Sequence, residues 1–202
     1  MAWQEMSYSR EAQKQTNQGE FYTTALNSYI KFLCMGLLML IPAISVIFPI
    51  MINESYADAK QLVPYYLLAT IVSCISSFFG NIFTAIKKNN VLFYTTVAGS
   101  VVNVVSVHLL LPVVGVQGAS IALFLGFMVN NTIRAYLLKK EIQVSIDLKF
   151  IVAWAIVYIG VSYIYLHANA IINVLTVFVG GLLTLFVFRK ELKEILGTIK
   201  NR

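Results

Sequence analysis

The stretch Val91–Pro112, VLFYTTVAGSVVNVVSVHLLLP, decides the fold of this chain. It contains no Asp, Glu, Lys or Arg over the roughly 20 residues that an α-helix needs to cross about 30 Å of hydrocarbon. Ile171–Phe188 is equally apolar on all sides. A membrane β-barrel would instead show short segments that alternate apolar and polar residues with a period of two. Both stretches are therefore predicted to be transmembrane helices, whose backbone hydrogen bonds are satisfied within the helix.

The composition of the whole chain extends this interpretation. Of its 202 residues, 58% are hydrophobic and 12% charged, whereas soluble globular chains carry about 45–50% apolar and about 25% charged residues. An ordinary soluble domain is therefore excluded. We predict an all-α integral membrane protein with about six transmembrane helices, near 29–52, 61–86, 93–112, 117–138, 149–166 and 169–188.

Three regions follow from these spans. Residues 1–28 form a polar leader, 29–188 a six-helix transmembrane bundle, and 189–202 a basic cytoplasmic tail. The leader lacks the apolar stretch that a secretory signal needs after its basic residues. Two alternatives remain open for it: contact with the membrane interface through Trp3, Met6 and Tyr8, or a solvated segment.

The distribution of positive charge predicts the orientation. All of the fifteen Lys and Arg residues except Lys60 fall on one side of the six spans. The positive-inside rule then places both termini in the cytoplasm of a multi-pass protein. Because the charged residues lie between the apolar segments and do not form one basic surface, the net charge of +6 does not indicate nucleic acid as a partner.

Polar residues inside the spans are the candidate functional groups. A mid-bilayer amide such as Asn103 must find a partner or a wet cavity, so it is expected to face protein. Asn81 lies beside a stripe of small and polar residues on the second span, and His108 lies near the outer end of the third. We predict that Asn81, Asn103 and His108 form a polar set along a substrate path. Ordinary helix packing for the stripes, and a structural role for His108, remain alternatives.

Other features limit the possible functions. No carboxylate lies in the middle of a span, and no paired acids, metal-ligand spacing, phosphate-binding loop or nucleophile with a base is present, so we predict no enzyme, cofactor or metal. Pro42 interrupts the first span and is a predicted helix kink, either a bending point or fixed curvature.

The segment Asn103–Ala122 resembles the polysaccharide (O-antigen) flippase family of the multidrug/oligosaccharidyl-lipid/polysaccharide exporter superfamily. Asn53–Ala59, Gly80–Lys88 and the leader Ala2–Tyr8 are similar to further segments of that family. In the central match Pro112 ends one helix, Gly115 permits a tight reversal, and Gly118 with Ala119 lets the next helix pack closely. The matching residues of this turn motif are Leu110, Pro112, Gly115, Gly118, Ala119 and Ala122.

The resemblance implies the C-terminal lobe of a MATE-like transporter that works with an N-terminal six-helix half. It implies movement of a polyprenyl-pyrophosphate-linked oligosaccharide across the bacterial cytoplasmic membrane by alternating access, in polysaccharide or lipopolysaccharide biosynthesis. Membrane lipids and this lipid-linked oligosaccharide are the implied partners. Lys31 and Arg134, near span ends, are the nearest cationic candidates for the pyrophosphate. The alternatives are half of a drug or cation exporter, a membrane enzyme acting on lipid-linked sugars, and a truncated remnant without function.

Overall fold

The computed structural model describes residues 18–53 and 59–189, and every regular element within these ranges is a helix. Six of the helices are long and apolar enough to cross a membrane, which confirms the predicted all-helical, multi-pass class. We number them α1 (Gln18–Met51), α2 (Val63–Ala85), α3 (Asn89–Val114), α4 (Gln117–Ile142), α5 (Leu148–His167) and α6 (Ala170–Val187).

Some predicted features lie outside the described residues. These are the N-terminal part of the leader with the Ala2–Tyr8 match, most of the Asn53–Ala59 match, and the basic tail beyond Arg189. The predicted spans agree with the helices to within two residues at each end, except at the start of α1, which differs by eleven, and at the start of α3 and the end of α4, which each differ by four.

The first helix begins well inside the predicted leader. α1 starts at Gln18, so residues 18–28 are helical although their composition is polar. Tyr22 and Leu26 are buried one turn apart on the same face of this segment. The Asn27 amide also donates a 3.0 Å hydrogen bond to the Ser145 carbonyl. An amphipathic face and tertiary hydrogen bonds thus extend the helix beyond the apolar run that defined the predicted span.

The described residues divide into two compact units. The first contains residues 18–33 and 61–151, which include α2, α3 and α4. The second contains residues 34–53, 59–60 and 152–189, which include α6 and most of α5.

In the first unit α3 and α4 approach each other closely. A Cβ atom added to Gly99 would lie 2.8 Å from the Gly126 carbonyl oxygen, and one added to Gly126 would lie 2.8 Å from the Gly99 carbonyl oxygen. Only glycine permits this backbone contact. The buried face of α4 repeats every four residues and is mostly small or polar: Gly118, Ala122, Gly126, Asn130, Arg134 and Leu138.

The connection between these two helices differs in detail from the predicted turn. Pro112 does not end α3, because the helix continues to Val114 and Pro112 lies exposed in its last turn. The reversal occurs at Gly115, which has a φ of +64°. Gly118 is buried against Leu110, as close packing requires, whereas Ala119 is exposed and takes no part in it.

The second unit is held by contacts of α1 with α5 and α6. The indole Nε1 of Trp154 donates a 2.8 Å hydrogen bond to the Cys34 carbonyl. A Cβ added to Gly180 would lie 3.7 Å from the Leu38 carbonyl oxygen, an ordinary packing distance. Pro42 is fully buried, and α1 continues as one helix through it to Met51.

Candidate functional site

Arg134 is the centre of a polar cluster inside the first unit. Its residue surface is only 5% exposed, and its side chain reaches from α4 to α2 and α3. Nε donates to the Thr95 hydroxyl at 2.9 Å, and Nη2 donates to the Thr96 hydroxyl at 3.0 Å. Nη1 donates to both the carbonyl oxygen and the hydroxyl of Ser76, at 2.7 and 3.0 Å. The guanidinium therefore links three helices.

Arg134 lies further from the end of its helix than from the end of the predicted span 117–138. α4 continues to Ile142, so Arg134 lies eight residues, or about 12 Å, before the end of the helix. The helix extends because Lys139 and Lys140 are good helix formers whose positive charge is favourable in its last turn. Five residues, or about 7.5 Å along the helix, separate Arg134 from Lys139.

The charge of Arg134 has no carboxylate partner in the described ranges. All four of its hydrogen bonds go to neutral hydroxyl or carbonyl oxygens. The one ion pair in those ranges joins Lys88 and Glu141, with 2.6 Å between Nζ and Oε2. An arginine stays protonated in proteins, so the cluster holds a full positive charge that neutral dipoles solvate without cancelling.

Two asparagines join the cluster from the preceding turn of α4. The Nδ2 of Asn130 donates to the Ser76 hydroxyl at 3.1 Å, and the Nδ2 of Asn131 donates to the Val72 carbonyl at 2.8 Å. Both residues are buried. Their Oδ1 atoms have no hydrogen-bond partner among the described residues. The cluster therefore keeps two unused acceptors.

A groove lies beside the cluster, between α3 and α4. Its volume is about 390 Å³, and the close contact of Gly99 with Gly126 belongs to its lining. Polar groups and apolar groups share the walls. The remaining lining residues are Thr96, Ser100, Asn103, Val104, Leu123, Phe127 and Asn130.

The structure brings some of the predicted site residues together. Asn103 is half-buried and lines the groove, four residues after Gly99 on α3. His108 is exposed further along α3, in an open depression that Asn103 also lines. Thr96, Ser100 and His108 are exposed with spacings that are multiples of four. They are spread over about 18 Å of α3, with the exposed apolar side chain of Val104 between Ser100 and His108.

Two other predicted residues lie apart from this site. Asn81 is exposed on α2 and does not line the groove. Lys31 is half-buried on α1, with its Nζ 5.8 Å from the centre of the Phe150 ring. Neither residue hydrogen-bonds with Arg134 in the described part of the chain.

Sequence reasoning missed four of the polar partners. Ser76, Thr95, Thr96 and Asn131 are not among the predicted site residues. A usable signal was present: Arg134 is followed by four residues without charge before Lys139 and is preceded one turn earlier by Asn130. This pattern indicates a polar face that continues into the span.

The described residues contain no group of three or more His, Cys, Asp or Glu side chains that could hold a metal ion. Comparison of the chain with protein-family models, with curated proteins and with solved structures finds no match. The functional argument therefore depends on the geometry of the cluster and the groove.

Proposed function

We propose that the chain forms one lobe of a flippase that moves a polyprenyl-pyrophosphate-linked oligosaccharide across the bacterial cytoplasmic membrane by alternating access. In this proposal the lobe resembles the C-terminal half of a MATE-like transporter, with both termini in the cytoplasm. It acts together with a second six-helix lobe. The cargo crosses without a change in its covalent bonds.

The observation that carries the proposal is the charge of Arg134. In this proposal Arg134 lies inside the membrane, where a buried cation is costly and marks a candidate site for an anionic ligand or an ion path, because hydrocarbon solvates charge poorly. The cargo brings a pyrophosphate, which the positive charge of Arg134 attracts, while four hydrogen bonds hold the guanidinium in place. The exposed hydroxyl of Thr96, which accepts a hydrogen bond from Arg134, can turn its own O–H group toward the same anion.

The exposed polar residues of α3 support the same function. Exposed hydroxyl and imidazole groups facing lipid tails would lose their hydrogen bonds, so Thr96, Ser100 and His108 favour contact with a water-filled cavity. A sugar chain cannot cross about 30 Å of hydrocarbon unaided, whereas the polyprenyl tail can remain in lipid. A polar wall can bind the sugar chain of such a cargo, and a buried cation beside it can bind the pyrophosphate.

Binding to the purified chain in lipid nanodiscs tests the role of Arg134. Fluorescent polyprenyl pyrophosphate is the probe, and polyprenol is the uncharged control. Arg134→Gln is expected to weaken binding of the pyrophosphate about tenfold to hundredfold, the effect of losing charge-assisted hydrogen bonds. Arg134→Lys keeps the charge but loses the planar geometry and should fall between these two proteins.

The matched control is Lys140→Gln, which removes a cation from an exposed position on the same helix. It should leave binding unchanged. Equal binding by the wild type and by Arg134→Gln, with both folded by thermal unfolding, would refute the assigned role.

A leaflet-resolved assay in proteoliposomes tests transport itself. A labelled lipid-linked sugar should change leaflet with its covalent structure intact, and the rate should fall in the Arg134→Gln variant. The assay is run with the chain alone and with a co-expressed N-terminal half. Chemical conversion of the lipid would indicate an enzyme. Transport of an organic cation instead of the lipid would indicate a drug or cation exporter. No movement, with or without the N-terminal half, would indicate a remnant without function.

A further inference from the structure

The unpaired amide of Asn130 indicates a ligand in the groove between α3 and α4. This residue is only 5% exposed, and its Oδ1 lacks a partner among the described residues. Leaving such a buried group unpaired costs about 1–3 kcal/mol. Rotating the amide by half a turn exchanges its two polar atoms, so the unpaired group would then be an N–H₂. In either orientation one half of this amide requires a polar partner.

The groove has the size and lining of a site for a small neutral molecule. Its volume of about 390 Å³ lies within the range of about 300–1,000 Å³ that small-molecule pockets occupy. The polar groups of its walls are amides and hydroxyls, from Asn103, Ser100 and Thr96 as well as Asn130. Phe127 and Leu123 add apolar surface.

The chemistry of these walls selects one class of ligand. No charged side chain lines the groove among the described residues, so an anion is bound better at Arg134, and an organic cation finds no carboxylate. A hydrocarbon tail would leave the Asn130 amide unpaired. A sugar hydroxyl both donates and accepts, so it pairs with this amide in either orientation. The apolar face of a sugar ring can also pack on Phe127.

We infer that this groove is a binding site for the first sugar of the cargo, with the Asn130 amide and the Ser100 hydroxyl as its hydrogen-bonding groups. The inference rests on the proposed function and names the part of the cargo that the groove contacts. Thr96 belongs to both sites, because it lines the groove and accepts a 3.0 Å hydrogen bond from Arg134. In the cargo the first sugar is bonded directly to the pyrophosphate. The cationic site and the groove are therefore adjacent, as the pyrophosphate and the first sugar are in the lipid.

Two probes separate the groove from the cationic site. They are polyprenyl pyrophosphate bearing one N-acetylhexosamine, and the same lipid without sugar, each titrated onto the whole chain in nanodiscs. Asn130→Ala and Ser100→Trp are expected to weaken binding of the glycosylated lipid about tenfold, through a lost hydrogen bond and a filled groove. For Ser100→Trp, which lies outside the Arg134 cluster, binding of the sugar-free lipid should stay within about twofold of wild type.

Ser100→Trp and its control are both surface substitutions. Ser100 is exposed, and the control, Val101→Trp, changes the adjacent position, which is 57% exposed and outside the groove. Val101→Trp should leave both lipids unaffected. Thermal unfolding of all three variants identifies any loss of the fold, and Ser100→Trp keeps the test valid if Asn130→Ala unfolds.

The outcomes distinguish this inference from the proposed function. If the wild type binds both lipids equally well, the groove holds water only and the inference is wrong while the role of Arg134 stands. Equal weakening of both lipids by Ser100→Trp in a folded protein also overturns it. If neither lipid binds the wild type, the proposed function fails and the sugar site fails with it.

Discussion

The guanidinium of Arg134 on α4 donates a 3.0 Å hydrogen bond to the hydroxyl of Thr96 on α3, and the same threonine lines the groove between the two helices. The buried positive charge is thus one side chain away from an open polar space. A ligand in the groove that hydrogen-bonds with Thr96 acts directly on a partner of Arg134. This relationship joins the cationic site and the groove into one candidate binding region.

Water in the groove can be detected by cysteine chemistry. In a background in which Cys34 and Cys74 are replaced by Ala, we expect Ser100→Cys to react with a charged thiol reagent at least about tenfold faster than Val101→Cys. The reason is that the reagent attacks the thiolate, which forms in water and not in lipid. Equal rates at the two positions would contradict a water-lined face on α3.

The close contact of Gly99 and Gly126 should be sensitive to a single methyl group. A Cβ at either residue would lie 2.8 Å from the opposite carbonyl oxygen, so Gly126→Ala must push the backbones of α3 and α4 apart. We expect a loss of about 1–3 kcal/mol in the free energy of unfolding. Thermal unfolding in detergent measures it as a lower midpoint.

The control for this prediction is Gly160→Ala on α5. A Cβ at Gly160 meets nothing within 4 Å, so the change should be neutral or stabilise the helix by up to about 1 kcal/mol. If both glycine variants unfold at the wild-type temperature, the contact between α3 and α4 is looser than described.

The ion pair of Lys88 with Glu141 should contribute little to stability. Its side chains are 43% and 38% exposed, and solvent and salt screen an exposed pair. We expect a double-mutant cycle with Lys88→Ala and Glu141→Ala to give a coupling below about 1 kcal/mol that decreases further as salt is added. A larger coupling that does not respond to salt would show that the pair is desolvated in the membrane.

The proposed orientation predicts which turns are reached from each side of the membrane. Val116, 66% exposed between α3 and α4, should face outward, and Lys139 in the last turn of α4 should face the cytoplasm. In the same cysteine-free background, Val116→Cys should be labelled by an impermeant maleimide on intact cells. Lys139→Cys should be labelled only after permeabilisation, and the reverse pattern would invert the topology.

The existence of the six helices could be predicted from apolar length alone, because lipid leaves no other solution for such segments. The start of α1 could not be predicted in this way. The buried residues Tyr22 and Leu26 form too short a helical pattern of apolar residues, and the hydrogen bond of Asn27 to Ser145 joins residues far apart in sequence.

The site was predictable in part for a similar reason. Asn103 and Asn130 stand out as amides within apolar runs, and both line the groove. Ser76 and Thr95 do not stand out, because small hydroxyl residues are common in membrane helices and often pair with their own helix, as the Thr95 hydroxyl does with the Val91 carbonyl. Whether such a residue faces Arg134 depends on how each helix is rotated in the packed unit, and periodicity along one helix does not determine this.

The two-residue connection of Gly115 and Val116 has a consequence for the way in which this chain enters the bilayer. Helices joined by so short a turn, with no side chain at Gly99 or Gly126 to hold them apart, can pair as soon as both have left the translocon. Asn103 and Asn130 then meet the hydrocarbon already shielded by a neighbour. A single helix that carried either amide into the hydrocarbon would expose it at a cost of several kcal/mol. Insertion of α3 and α4 as a hairpin avoids this cost for both amides.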